Sequence, residues 1–123
     1  MSVPEMKENA DGSKVWWLNW NRHRTDGPAV EWPNGTKEWW LNGKRHRTDG
    51  PAVEWSTGSK AWYLNGEHHR TDGPAIEWST GTKEWRLNGN VVTWFEVYCY
   101  NLRTGDIETA ERILAISNKE KNC

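Results

Sequence analysis

Residues 35–57 read GTKEWWLNGKRHRTDGPAVEWST, and residues 58–80 read GSKAWYLNGEHHRTDGPAIEWST. They are one 23-residue unit written twice. Gly12, Gly35, Gly58 and Gly81 keep the same interval, each followed by Ser or Thr and then Lys. The first copy, residues 12–34, departs at Trp20, where the others have Gly, and at Pro33-Asn34. The fourth begins GTKEWRLNGN at Gly81 and loses the pattern after Asn90. A fixed period of this size signals a stacked architecture, in which each unit buries its apolar face against its neighbours.

Each unit carries two turn signals. Asn42-Gly43 and Asn65-Gly66 are hairpin turns, since Asn and Gly tolerate the positive φ of a type I′ turn. The second signal is Ser56-Thr57-Gly58, with Pro33-Asn34-Gly35 and Ser79-Thr80-Gly81 in the corresponding places. Two turns leave two strands per unit, a short one over residues 37–41 and a longer one over about residues 44–55. The longer strand should bulge or kink at Asp49-Gly50-Pro51, where Pro lacks a ladder donor. The expected fold is mainly β: an antiparallel meander built from hairpin repeats.

Alternation assigns the faces. Trp16, Trp39, Trp62 and Trp85 recur in every copy, with Leu18, Leu41, Leu64 and Leu87 two residues later. Val30, Val53 and Ile76, with Trp32, Trp55 and Trp78, read as the matching row of the second strand. The opposite face varies between copies, with Val15, Glu38, Ala61 and Glu84 in one row and Trp17, Trp40, Tyr63 and Arg86 in another.

The chain has 123 residues, the size of one domain, with a polar N-terminal segment 1–11, repeats over 12–90 and a C-terminal region 91–123. With 16 Lys and Arg against 17 Asp and Glu, it has no global basic field for general nucleic-acid binding. The N-terminal segment has no apolar run, so neither a signal peptide nor a membrane span is expected, and the expected location is the cytoplasm. Cys99 and Cys123 read as free thiols. Leu, Ile and Val are scarce and there are 11 Trp, so Trp must supply much of the buried apolar area.

After Asn90 the pattern changes. Thr93-Trp94-Phe95-Glu96 has capping-box spacing. Gly105 would close that helix, and Asp106 would cap a second over residues 107–117 with Ile107, Ala110 and Leu114 on one stripe. A small helical cap would cover the last strand. The competing reading of residues 91–100 is a further strand, because they are rich in β-branched and aromatic residues.

The units resemble MORN repeats, which share the length and an aromatic–x–x–Asn–Gly–x–x–His hairpin. The match runs through Trp39-Trp40-Leu41-Asn42-Gly43-Lys44-Arg45-His46, recurs at residues 62–69, and covers roughly residues 12–90. MORN units typically continue with Gly-x-Gly after the histidine, whereas this chain has Arg-Thr-Asp-Gly-Pro-Ala. That His-Arg-x-Asp-Gly-Pro-Ala variant is similar to small repeat proteins of tailed phages and large DNA viruses. The resemblance implies a β-meander and a viral origin, with the host cytoplasm as location, and it supplies no catalytic residues.

Two sets of residues are candidates for function. His23, His46 and His69, with Arg24, Arg47 and Arg70 beside them, could grip phosphate or carboxylate. Alternatively each Arg pairs with its own Asp26, Asp49 or Asp72 across the bend, a role suited to residues present in every copy. His68 reads as a surface substitution. Trp17, Trp40, Tyr63 and Arg86 should line up roughly 10 Å apart, one per two-strand unit. Such a row is either a partner-binding surface, since aromatics and Arg dominate hot spots, or a second core layer. No metal-ligand spacing, phosphate loop or nucleophile motif occurs, so no metal, no cofactor and no enzymatic activity are expected. The leading expectation is a non-catalytic protein that binds and inhibits a host protein such as a bacterial immune effector. The alternatives are a binder that sequesters a nucleotide signal and a structural scaffold module. No polybasic patch favours membrane binding. A row of exposed Trp also invites self-association.

Overall fold

A computed structural model describes residues 3–121, with side chains through residue 117. Cys123 lies outside the described residues, and Cys99 is a free, half-buried thiol. The chain is mainly β, with hairpins in meander-like order followed by two C-terminal helices.

The second unit illustrates the construction. β5 (Lys37–Glu38) runs in line into β6 (Trp40–Leu41), and Asn42-Gly43 turns the chain at φ 51° and 79° into β7 (Lys44–Arg45). Trp40 opposes Arg45, and the His46 N–H donates to the Trp39 carbonyl (3.1 Å). The chain then leaves the ladder through Arg47-Thr48-Asp49-Gly50-Pro51. It returns with the Ala52 carbonyl accepting from Trp39 N–H (2.7 Å) and with β8 (Val53–Glu54) paired to β5. The expected long strand is therefore two short ones, separated by a loop larger than a bulge.

The same pattern gives β2 (Lys14–Leu18), β3 (Asn21–Arg22) and β4 (Val30–Glu31) in the first unit. The third unit has β9 (Lys60–Ala61), β10 (Tyr63–Leu64), β11 (Glu67–His68) and β12 (Ile76–Glu77). The fourth has β13 (Lys83–Leu87) and β14 (Asn90–Val92). With the N-terminal β1 (Glu5–Glu8), they form a sheet ordered β1-β2-β4-β5-β8-β9-β12-β13-β14, with β3 beside β2. The β6–β7 and β10–β11 hairpins branch from it. They are tied to the preceding unit by Gly43 N–H to the Arg22 carbonyl (3.0 Å) and Gly66 N–H to the Arg45 carbonyl (2.9 Å). Thr36 and Ser59 add side-chain ties, accepting the N–H of Ser56 (3.0 Å) and Ser79 (2.8 Å) twenty residues on. In the first unit the corresponding residue is Pro33, which has no N–H. Ser13 instead bonds Asp11 (2.6 Å) and Asn9 (3.0 Å).

The register corrects the face assignment. Val30, Val53 and Ile76 oppose Val15, Glu38, Ala61 and Glu84, so the row taken as variable shares their face. Trp32, Trp55, Trp78, Trp17, Trp40 and Tyr63 flank that central row. Trp16, Trp39 and Trp62, with Ala29, Ala52 and Ala75, lie on the other side. Each loop excursion shifts the pairing, so counting alternate residues through an assumed continuous strand puts Val53 on the wrong side. Trp32, Trp55 and Trp78 are 39–41% exposed, whereas Val30 and Val53 beneath them are 1% exposed.

β14 ends at Val92, and α1 (Trp94–Thr104) begins immediately after it. Thr93 and Glu96 form the full capping box, and Gly105 closes the helix at φ 86°. Asp106 caps α2 (Ile107–Lys121), accepting from Thr109 N–H (3.1 Å). The buried stripe of α2 runs through Ala110, Ile113 and Ser117. Ile107 and Leu114, expected inside, are 50% and 38% exposed. Ile113 packs with Val97 and Trp85, so the cap and the last strand share one apolar cluster. The buried Asn101 of α1 donates its side-chain amide to the Thr71 carbonyl (2.7 Å) and the Val97 carbonyl (3.0 Å), docking the cap on the third unit's loop. Asn101→Ala orphans the Thr71 carbonyl and should lower unfolding free energy by about 1–3 kcal/mol. Denaturant melts compared with the exposed-site control Leu102→Ala check this.

Candidate functional site

The signature loop is built around one guanidinium per unit. Arg24, Arg47 and Arg70 lie 3.9, 3.8 and 3.8 Å from the ring centroids of Trp16, Trp39 and Trp62. On its other side each meets a glycine. A Cβ on Gly27, Gly50 or Gly73 would stand 3.0, 2.9 or 2.6 Å from the guanidinium carbon. These glycines are needed for space rather than for backbone conformation. In the second unit Arg47 Nε donates to Asp49 (2.9 Å), and Nη1 donates to the Pro51 carbonyl (3.0 Å) and Glu54 (2.9 Å). The first and third units repeat the set with Asp26, Pro28 and Glu31, and with Asp72, Pro74 and Glu77.

The Arg47 side chain is 21% exposed and that of Asp49 is 82% exposed, so solvent screens that ion pair. Stacking on Trp and bonding of the Pro carbonyl contribute more, with about 0.5–2 kcal/mol from the cation–π contact. The Arg24 and Arg47 guanidinium hydrogen bonds, then their charge, hold the Asp26 and Asp49 carboxyls below the usual carboxylate range.

The histidines join units. Nδ1 of His23, His46 and His69 accepts the N–H of Asn42, Asn65 and Asn88 at 2.9, 3.0 and 2.9 Å. An accepting Nδ1 leaves the proton on Nε2. Burial pushes the His69 pKa down, with Glu67 partly opposing it. Arg47, His69 and Arg70 line a cleft of about 780 Å³ between two signature loops and the cap, beside Tyr100 and Arg112.

The other candidate row lies on the opposite face. Arg22 lies 5.7 Å from the Trp17 ring and 5.1 Å from that of Trp40, and Arg45 lies 5.2 Å from Trp40 and 5.5 Å from Tyr63. The His68 ring packs against that of Tyr63, tilted by 33° with centroids 4.1 Å apart, so His68 belongs to the row rather than to an isolated surface position. Trp17, Trp40, Tyr63 and Arg86 thus alternate with Arg22, Arg45 and His68. Trp17 is 37% exposed and the other three are half-buried, so the row is a ladder showing its edges to solvent.

Glu38, 7% exposed, lies beneath this ladder. It accepts from Trp32 Nε1 (2.6 Å), Trp40 Nε1 (3.2 Å), and Nε (3.3 Å) and Nη2 (3.2 Å) of Arg45. Glu84 pairs likewise with Arg86. Val15 and Ala61 replace the carboxylate in the first and third units, and there Arg22 Nε and His68 Nδ1 are buried without a partner. Burial and then the Arg86 charge push the His68 pKa below the ordinary histidine value.

A further group lies outside both candidate sets. Trp20 occupies the second turn position at φ 69° and is 96% exposed. Gly43 and Gly66 stand there in the next units, close against the preceding hairpin. Among the described residues no other hairpin lies against Trp20, so bulk is sterically allowed there. With Met6, Trp17 and Leu18 it lines an open pocket of about 630 Å³ against β1. The sequence signal for it is the single copy in which a turn glycine becomes Trp.

Compared with known proteins, the chain matches no family model and no curated protein. The clamp around Arg47 predicts coupling between its two sides. Gly50→Ala should destabilise by about 1–3 kcal/mol through overpacking, and most of that effect should vanish in an Arg47→Ala background. A double-mutant cycle by thermal or urea unfolding measures it.

Proposed function

We propose that the chain is a non-catalytic interaction protein that binds and inhibits a host protein through the first unit's end of the sheet. The observation carrying this reading is Trp20, 96% exposed in a positive-φ turn where its equivalents are glycine. A non-glycine residue there costs roughly 1–2 kcal/mol, and exposing the indole stabilises nothing within the chain. Met6, Trp17 and the edge of the cation–aromatic ladder adjoin it, giving the rigid aromatic and Arg groups that dominate protein contacts. The resemblance to phage and large-virus repeat proteins favours a viral origin, a site of action in the host cytoplasm, and a bacterial immune effector as target.

Arg24, Arg47 and Arg70 enter this reading as scaffold, because their Nε and Nη1 groups are engaged within their own loops. A nucleotide phosphate in the cleft would also meet Asp49 and Asp72, whose charge opposes it.

Trp20→Gly restores the turn residue of the other units, so it should leave stability unchanged or raise it by about 1 kcal/mol. The same substitution should cut recovery of a specific partner by tagged full-length protein from host lysate, read by mass spectrometry. Undiminished recovery of the same partner would contradict the reading.

A further inference from the structure

Resting on that reading, we infer that Arg22, held between Trp17 and Trp40, is the docking point for an acidic side chain of the partner protein. The repeat supplies the precedent. Where an Arg of the ladder has a carboxylate beneath it, it is neutralised, as Arg45 is by Glu38 and Arg86 by Glu84. In the first unit Val15 holds the carboxylate's place, and among the described residues no acceptor receives an N–H from Arg22 or from the Trp17 indole. Glu5 stands across the strand pair from Trp17 but makes no ion pair with Arg22 among the described residues. Arg22 is thus the uncompensated arginine of the ladder, set beside the exposed Trp17. Its Nε is enclosed, so an incoming carboxylate meets the outer guanidinium edge.

A protein carboxylate fits better than a phosphate. The second unit pairs a carboxylate with the same two kinds of group, an indole N–H and a guanidinium, at 3.2 Å from each, but from the inner side. In the first unit Val15 fills that inner place and leaves the outer guanidinium edge for a partner's carboxylate. Partner specificity would then combine an acidic residue at Arg22 with apolar contacts at Trp17 and Trp20. A charged hydrogen bond in an aromatic-walled site is stronger than one in open solvent.

The test uses full-length protein and capped nine-residue peptides of Leu, Phe and Ser with one central Glu, each paired with an otherwise identical Gln peptide. Binding is read by fluorescence anisotropy. Wild type should prefer Glu over Gln peptides by tenfold or more. Arg22→Gln should abolish that preference. So should Val15→Glu, which places an internal carboxylate where Glu38 already sits and so keeps the fold even if Arg22→Gln does not. Absence of a Glu preference in wild type, or its persistence in Val15→Glu, overturns the inference. Partner capture that depends on Trp20 but is unchanged in Val15→Glu would overturn this inference alone and leave the interaction reading standing.

Discussion

One contact recurs three times and the rest of the fold is arranged around it: a guanidinium pressed between a Trp ring and a glycine. With so few large aliphatic residues, the chain cannot hold a thin sheet together by a conventional core. Its fully buried aliphatic side chains on the repeats are small, Ala29, Ala52, Ala61 and Ala75 with Val30 and Val53. The arginine replaces missing apolar volume with a flat, polarisable slab, and its N–H groups tie down a loop whose backbone is out of the ladder. The signature residues follow from this. Gly leaves space, Pro offers its carbonyl, Ala lets the strand return closely against Trp, and His carries the bond to the next hairpin.

The two ends of the array are finished differently. At the C-terminal end Val92 and Thr93 stand where His and Arg stood, so no clamp forms, and the chain turns into helices that bury Trp85. At the other end β1 is short, charged and preceded by Pro4, features that discourage edge pairing. The first unit therefore presents side chains rather than an open backbone edge, and these include Trp20, one of its departures from the repeat. Among the described residues no helix is long and apolar enough to cross a membrane.

What was legible in the sequence was local chemistry. Asn42-Gly43 announced its turn because positive φ restricts the residues that fit. Thr93 and Glu96 announced a helix because capping geometry fixes their spacing. Alternation misassigns the faces because it presumes one unbroken strand, whereas the Arg47 loop resets the register between Arg45 and Val53. The stripe of α2 was misplaced because periodicity gives a helix an apolar side but not the angle at which it lands, and here Ile113 faces inward in place of Leu114. The candidate row was legible as a row. Its interleaving with Arg22, Arg45 and His68 was not, since those partners sit across a hairpin or in the next unit. Trp20 was legible as an anomaly, and only its exposure gave the anomaly a meaning.

Scaffold and surface are thereby separated: the clamps fix each unit's loop on one face and the histidines tie the units together, while the ladder shows its edges on the other face. That division depends on the guanidinium acting through its shape and not through its charge alone. The direct measurement is amide hydrogen exchange of Arg47→Lys, which keeps the charge and loses the planar fork. Losing about 1.4 kcal/mol or more of local stability accelerates exchange about tenfold, so the Ala52 amide, which donates to the Ala61 carbonyl (2.8 Å), should exchange at least that much faster than in wild type. The Ala29 and Ala75 amides should change less. Wild-type protection of Ala52 in Arg47→Lys would contradict the account, since charge alone would then be enough to hold the loop.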